Sequence, residues 1–409
     1  MESGLRNYLV VTGGYWAFTL TDGAIRMLVV LYFHSLGYSP FEVAMLFLFY
    51  EFFGVVTNLV GGWLGSRIGL NLTMHIGMGL QVVALAMLMV PEVWLTVPYV
   101  MTAQALSGIA KDLNKMSAKA SVKTLLPDSG SESRLFKWVA MLTGSKNALK
   151  GIGFFLGAAL LQLTGFRGAL AVLSAGLLMV LMVTVVLLPS GLGKSKASPK
   201  FTQVFSKAPA INWLSAARFF LFGSRDVWFV VGLPVFLYSV LGWSFMQVGG
   251  YLALWVIGYG LVQASAPKML QHSHQGRGPD GATARFWVFA LALFPAGIAL
   301  ALQVGLGPGW VLVTGLVAFG AVFAINSAVH SYLIVAWSDQ DRVSMNVGFY
   351  YMANAAGRLT GTVLSGLVYQ QKGLVGCLWW STLFLLAAGL LSLRLPRLRA
   401  GDPTEQRTA

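Results

Sequence analysis

Cysteine is almost absent from this chain. Cys377 is the only one, which excludes an internal disulfide and any thiolate metal cluster. Charge is scarce too: Asp, Glu, Lys and Arg make up 10% of the 409 residues, against about 25% in soluble domains. Hydrophobic residues make up 56%, and the mean hydropathy is +0.71, so the chain is solvated mainly by lipid. Catalytic-triad, phosphate-loop and nucleic-acid recognition motifs are missing. His272 and His274 lie in one loop without further ligands, and no metal or cofactor is expected. With no titratable catalytic cluster and no long polar module, a membrane enzyme or receptor fits poorly.

What is present is a series of long apolar runs. Spans of about 20 residues are expected at roughly 8–34, 41–61, 72–91, 94–115, 136–162, 168–188, 209–240, 245–266, 286–304, 309–337, 343–369 and 374–394. The first contains Asp22 and Arg26 and lacks a small-residue cleavage pattern, so it is read as a retained helix rather than a signal peptide. The 28 Lys and Arg outnumber the 14 Asp and Glu, and their placement is asymmetric. One set of loops and the tail hold Arg67; Lys119, Lys123 and Arg134; Lys194, Lys196, Lys200 and Lys207; Lys268, Arg277 and Arg285; Arg342; and Arg397, Arg399 and Arg407. The opposite loops offer Arg167 and Lys372. Positive loops stay inside, which puts both termini in the cytoplasm. The basic face then meets anionic lipid rather than nucleic acid.

Residues 189–208, with Pro189, Gly191, Gly193 and Pro199 among lysines, read as a cytoplasmic linker. It separates an N-terminal six-helix bundle, 1–188, from a C-terminal one, 209–396, followed by a tail, 397–409. A repeat supports the division. Leu36-Gly37-Tyr38-Ser39 with Glu42-Val43 returns as Leu241-Gly242-Trp243-Ser244 with Gln247-Val248, 205 residues on. At nearly that offset Asp22 matches Asp226, Asn147-Ala148 matches Asn354-Ala355, and Lys150 falls one position from the equivalent of Arg358. Two parallel halves about an axis along the membrane normal are the arrangement of major facilitator transporters, with substrate at midplane between them. Gly62-Trp63-Leu64-Gly65-Ser66-Arg67-Ile68-Gly69, expected as the loop after the second span, resembles the signature loop of that superfamily. The family's Asp is Ser66 here and its second basic pair is Leu70-Asn71. Gly62, Arg67 and Gly69 are its expected gating residues. The fold class expected is thus an all-α polytopic membrane protein of twelve transmembrane helices in two pseudo-symmetric halves.

The ionisable residues inside the spans carry the functional argument. Seven are basic, Arg26, Lys111, Lys146, Lys150, Arg218, Arg225 and Arg358, and four are acidic, Asp22, Glu51, Asp112 and Asp226. Charge at membrane depth costs several kcal/mol and normally faces a protein interior or a water-filled pathway. Spans three, six, nine and twelve carry none away from their extreme ends, so the charges avoid the helices expected outermost and leave a net positive cavity. Lys146 and Lys150 share a helix face and repel unless an anion or a carboxylate satisfies them, which makes them the first substrate candidates. Arg358 follows, then Arg225 beside Asp226, then Arg26 and Lys111, with Asn147 and Asn354 as hydrogen-bonding partners. Guanidinium forks suit phosphate-like oxyanions, while Lys acts as a point charge. Asp22, Glu51, Asp112 and Asp226 are candidates for coupling or ion pairing. Asp22 and Arg26, four apart, either neutralise one another or contact substrate. Lys111 and Asp112 are expected near the inner interface, where a lysine snorkels. The glycine strings Gly151-Ile152-Gly153 and Gly357 to Gly361 mark close helix packing. His330 reads as a hydrogen-bonded interior histidine.

Three strings are more specific. Tyr15 to Leu28 (YWAFTLTDGAIRML), Ser107 to Lys119 (SGIAKDLNKMSAK) and Thr143 to Gly151 (TGSKNALKG) resemble the ArsJ-type organoarsenical efflux permeases, strongly across the first half and more loosely across the second. That resemblance implies export of 1-arseno-3-phosphoglycerate through the bacterial inner membrane by a monomer. The partner would be a glyceraldehyde-3-phosphate dehydrogenase that makes the ester from arsenate, and the outcome arsenate resistance. It assigns no binding residues. A major facilitator exchanger for ordinary organophosphates would use the same positive cavity, whereas a multidrug exporter would favour cations or neutral amphiphiles.

Overall fold

The computed structural model describes residues 2–38, 46–125, 132–192, 194, 208–230, 232–243, 245–270, 278–339 and 342–397. In lipid every backbone N–H and C=O must be satisfied within its own segment, and the described chain answers with helices: α1 (Glu2–Ser35), α2 (Leu48–Ile68), α3 (Leu70–Leu88) and α4 (Val97–Leu125). Glu132–Leu187 is broken at Gly165 (φ 69°, ψ 178°) into α5 and α6. After α7 (Pro209–Phe229) and a short continuation, Gly232–Ser239, come α8 (Phe245–Leu270), α9 (Gly281–Gln303) and α10 (Pro308–Ala336). Val343–Ser392 is broken at Gly373 (φ 63°, ψ −166°) into α11 and α12. Counting each broken helix as two gives the expected twelve. Both breaks need a backbone that only glycine adopts freely. Helix starts follow local chemistry: proline opens α7 and α10, where its missing N–H costs nothing, and Asp280 and Thr283 form a capping box on α9.

Two boundaries correct the sequence reading. The segment Gly62 to Ile68 is the last two turns of α2, and only Gly69 (φ 104°, ψ 154°) leaves the helix before α3 begins. There Arg67 lies over the Trp63 ring, 5.3 Å from its centroid. Second, α4 runs to Leu125, so Lys119, expected in a loop, is a buried helical residue. The linker 189–208 and tail 397–409 lie mostly outside the described residues, but Leu70 N–H bonds Leu192 O at 2.7 Å and Asn71 bonds Pro189 O at 3.0 Å.

Within each half, glycine lets two helices touch backbone to backbone. A side chain at Gly153 or Gly157 would meet the α1 backbone at Leu20 to Ala24, and one at Gly357 or Gly361 would meet α7 at Phe219 or Gly223. The two glycine strings occupy corresponding places. The repeated Leu-Gly turns match as well, with positive φ at Gly37 and Gly242. Helices α3, α6 and α9, the α11–α12 segment and α10 are long and apolar enough to cross a membrane unaided. The most apolar stretch of α6 is only 22% buried, with Met179, Met182 and Val186 exposed, as expected of a face turned to lipid.

The apolar cores show how the halves meet. One runs continuously through both halves at the end that holds the start of α1 and the start of α7: Tyr8, Val11 and Tyr15 join Met116, Val139, Leu214, Ala266, Val329, Tyr332 and Val347. Towards the other end the core divides. One cluster contains first-half residues such as Val29, Leu88 and Leu170, the other second-half residues such as Trp228, Leu291 and Phe319. The two halves share one apolar core on the side of the termini and have separate cores on the opposite side.

Candidate functional site

Where the shared core ends, the charged residues begin. Glu51, on α2, reaches across to Arg358 of α11 at 2.8 Å and also pairs with Arg26 at 3.2 Å and Lys111 at 3.9 Å. Arg358 turns its Nε to Asp226 at 3.0 Å, which also holds Arg225 at 2.5 Å. In the first half Asp22 accepts the Tyr50 hydroxyl at 2.5 Å and faces Lys150 at 3.7 Å. The pairs obey the sequence repeat: Asp22 on α1 with Lys150 on α5, Asp226 on α7 with Arg358 on α11. Glu51 does not. At the repeat offset its counterpart would be Val256, so one unmatched carboxylate ties the halves together.

These groups are not sealed. The Arg26 and Arg358 side chains keep 26% and 25% of their exposure, whereas Asp22 and Asp226 keep 5% and 1%. The carboxylates are thus buried while their neighbouring cations stay partly exposed: Lys150 beside Asp22, Arg358 beside Asp226. Aromatic faces hold the cations further, with Arg26 4.8 Å from the Tyr50 ring centroid, Lys111 3.8 Å from the same ring, and Arg225 5.0 Å from Phe222.

Beside this network lies a basic pocket of about 20 Å³, lined by Tyr15, Lys115, Lys119, Leu142, Thr143, Lys146 and Tyr351. Lys115 pairs with Asp112 at 2.5 Å and sits 4.3 Å from the Tyr351 ring centroid. Lys119 donates to the Thr143 hydroxyl. Among the described residues no carboxylate lies within ion-pairing distance of Lys119 or Lys146.

The structure therefore separates the expected site residues. Arg26, Lys111, Lys150, Arg225 and Arg358 gather with Asp22, Glu51 and Asp226, while Lys146 turns to the pocket. Asp22 and Arg26 do not neutralise each other, because each finds a better partner on another helix. Lys111, expected to snorkel, is buried, 3.8 Å from Asp112 and close to Glu51. Asn147 donates to Gln263 across the halves at 2.7 Å, and Gln263 in turn donates to Ser327 at 3.1 Å. Its counterpart Asn354 is buried with no partner for its carbonyl oxygen among the described residues. Arg218, thought to lie near the interface, is 2% exposed, 3.8 Å from the Phe222 ring centroid and 3.2 Å from Ser327. His330 is buried, and neither ring nitrogen has a described hydrogen-bond partner. Lys115 and Lys119 were missed as site residues. Their signal was the spacing Lys111, Lys115, Lys119, one lysine per turn on one face of α4. Among the described residues no group of three or more His, Cys, Asp or Glu side chains could hold a metal.

Solved structures share this architecture. The human organic anion transporter MFSD10 (TETRAN) aligns over 95% of this chain and 99% of its own, with a TM-score of 0.74 and 18% identity. A bacterial homologue of the iron transporter ferroportin in its outward-facing state aligns over 95% and 98%, at 0.73 and 13%. FucP in the outward conformation aligns over 96% and 99%, at 0.69 and 11%. At such identities the likeness concerns the fold. No curated protein matches significantly in sequence. The sequence itself matches the model of the Major Facilitator Superfamily over residues 11–277. With paired halves, a charged seam between them and that match over most of its length, the chain belongs to the major facilitator superfamily, as a membrane transporter.

Proposed function

We propose that this transporter exports an organic oxyanion, 1-arseno-3-phosphoglycerate, and so confers arsenate resistance. One observation carries the anion assignment: among the described residues the interior holds nine basic side chains (Arg26, Lys111, Lys115, Lys119, Lys146, Lys150, Arg218, Arg225 and Arg358) against four carboxylates. Such an excess, costly without a partner, suits a cargo with two acidic ends. The structurally similar human protein is described as an organic anion transporter, which supports the class. The arsenic reading rests on the resemblance of α1, α4 and α5 to organoarsenical permeases.

With both termini in the cytoplasm of a bacterium, the end with the shared core faces inward and the end with separate cores faces the periplasm. Export then consists of closing around an anion taken from inside and rocking to the outward arrangement. There Glu51 recovers Arg358 and displaces the cargo. An inside-negative potential favours the export by ~2.3 kcal/mol per charge per 100 mV. Once released, the labile ester hydrolyses and cannot re-enter as substrate. The functional partner is a glyceraldehyde-3-phosphate dehydrogenase, and a single chain in the bilayer suffices.

The test is arsenate tolerance and cellular arsenic in an arsenic-sensitive bacterium carrying this chain with and without that dehydrogenase. Resistance with lowered arsenic only when both are present is the expected result. No protection from well-expressed, membrane-inserted protein would overturn the arsenic reading, and phosphate-ester exchange would identify an organophosphate carrier instead.

A further inference from the structure

The seam between the halves contains two kinds of cation. Arg26, Lys111, Lys150, Arg225 and Arg358 all have carboxylates within 4 Å. Lys119 and Lys146 have none among the described residues, although Lys119 is 3% exposed and both line one pocket with Lys115. Among the described residues the one carboxylate paired with a pocket lysine is Asp112, which is shared between Lys115 and Lys111. Lysines gathered like this repel one another, and the repulsion is strong where water is scarce. Hydroxyls complete the ring: Thr143 already accepts from Lys119, and Tyr15 and Tyr351 line the walls.

From this geometry we infer that the Lys115–Lys119–Lys146 pocket is a dedicated subsite for one terminal, doubly charged oxyanion group of phosphate type, separate from the Glu51–Arg358 network that would take the other end of the cargo. The inference rests on the anion-export reading and sharpens it: the cargo must carry an unsubstituted terminal phosphate-like group. Size supports this. A volume of about 20 Å³ admits roughly one water-sized group, so an oxyanion oxygen enters while the rest of the molecule stays outside. The helix sets the register, since Lys111, Lys115 and Lys119 stand one turn apart. At 1.5 Å per residue Lys119 is about 12 Å along the axis from Lys111. The pocket and the network are thus neighbours on one helix face, and an extended diacid can span from one toward the other. Lysine suits the pocket better than arginine because flexible point charges adapt to a tetrahedral group entering by its tip.

The test is calorimetric titration of the purified full-length protein with inorganic phosphate. Wild type and a surface control, Lys372→Gln, are expected to bind alike. Lys146→Gln and Lys119→Gln are each expected to weaken phosphate at least tenfold. Lys146 is partly exposed, so its variant tests the idea even where loss of the buried Lys119 charge disturbs folding, and size-exclusion profiles report on that. Unchanged affinity in both well-folded variants would overturn the proposal. So would an equal loss in Arg26→Gln, which would move the oxyanion to the Glu51 network. Phosphate binding that follows the three lysines, in a protein that gives no arsenate resistance, would leave the subsite standing and remove the arsenic assignment.

Discussion

Glu51 is a carboxylate bridge between the two halves, pairing with Arg26 and Lys111 of one and Arg358 of the other. It satisfies cations from both, and any anionic cargo at this place must compete with it. On the anion reading proposed above, Glu51→Gln is therefore expected to bind cargo about tenfold tighter and to turn over more slowly, because Arg26 and Arg358, freed from Glu51, retain the anion. Equilibrium binding together with vesicle transport rates checks this, and a weaker-binding variant would contradict it. Asp226 has a different job. It is 0% exposed and holds two arginines, and stripping one partner from a buried ion pair costs about 3–5 kcal/mol. Asp226→Asn should accordingly lower the unfolding temperature in detergent far more than Glu51→Gln, which a thermal melt monitored by size exclusion would show.

For the helices themselves, glycine decides which pairs can touch. Between α1 and α5, and between α7 and α11, a side chain at Gly153 or Gly357 would run into backbone, and backbone cannot move aside as a flexible side chain can. Gly153→Leu and Gly357→Leu are each expected to destabilise by at least the 1–3 kcal/mol typical of overpacking. Gly13 on α1 has open space around its would-be Cβ, so Gly13→Ala should be tolerated. Comparing monodisperse yields of the three variants tests whether close approach, rather than glycine content, holds these pairs. Lipid gives no hydrophobic drive to helix association, which leaves van der Waals contact as the main force.

At the scale of the whole molecule, one apolar core is shared at the end that holds the termini. Phe136 on α5 and Tyr332 on α10 have ring centroids 5.3 Å apart within the shared core, so they report on that packing. In a Cys377→Ser background, Phe136→Cys combined with Tyr332→Cys should be bridged by a short bis-methanethiosulfonate cross-linker, a direct disulfide needing a closer Cα approach than two packed rings imply; the bridge should stop transport, and reductant should restore it. Full transport by the cross-linked protein would show that this end need not open, contrary to alternating access.

How much of this was legible in the sequence follows from the range of each interaction. Spans and the repeat could be read directly, because lipid imposes long apolar segments and duplication leaves matched strings. Asp22, Asp226, Lys150 and Arg358 stood out as pseudo-equivalents for the same reason. Ion-pair partners could not be read. Sequence neighbours such as Asp22 and Arg26 look paired, yet the low-dielectric interior favours whichever opposite charge the packing brings closest, and for Arg26 that is Glu51 on another helix. The buried lysines of α4 were obscured because a lysine near an expected span end is ordinarily a loop residue. Which end of the seam shares a core was also beyond the sequence. The two alternatives use the same helices and differ only in that. Composition and periodicity determined the membrane, the helices and the positive interior; tertiary packing alone decided which charges meet, which stay unpaired and which end shares a core.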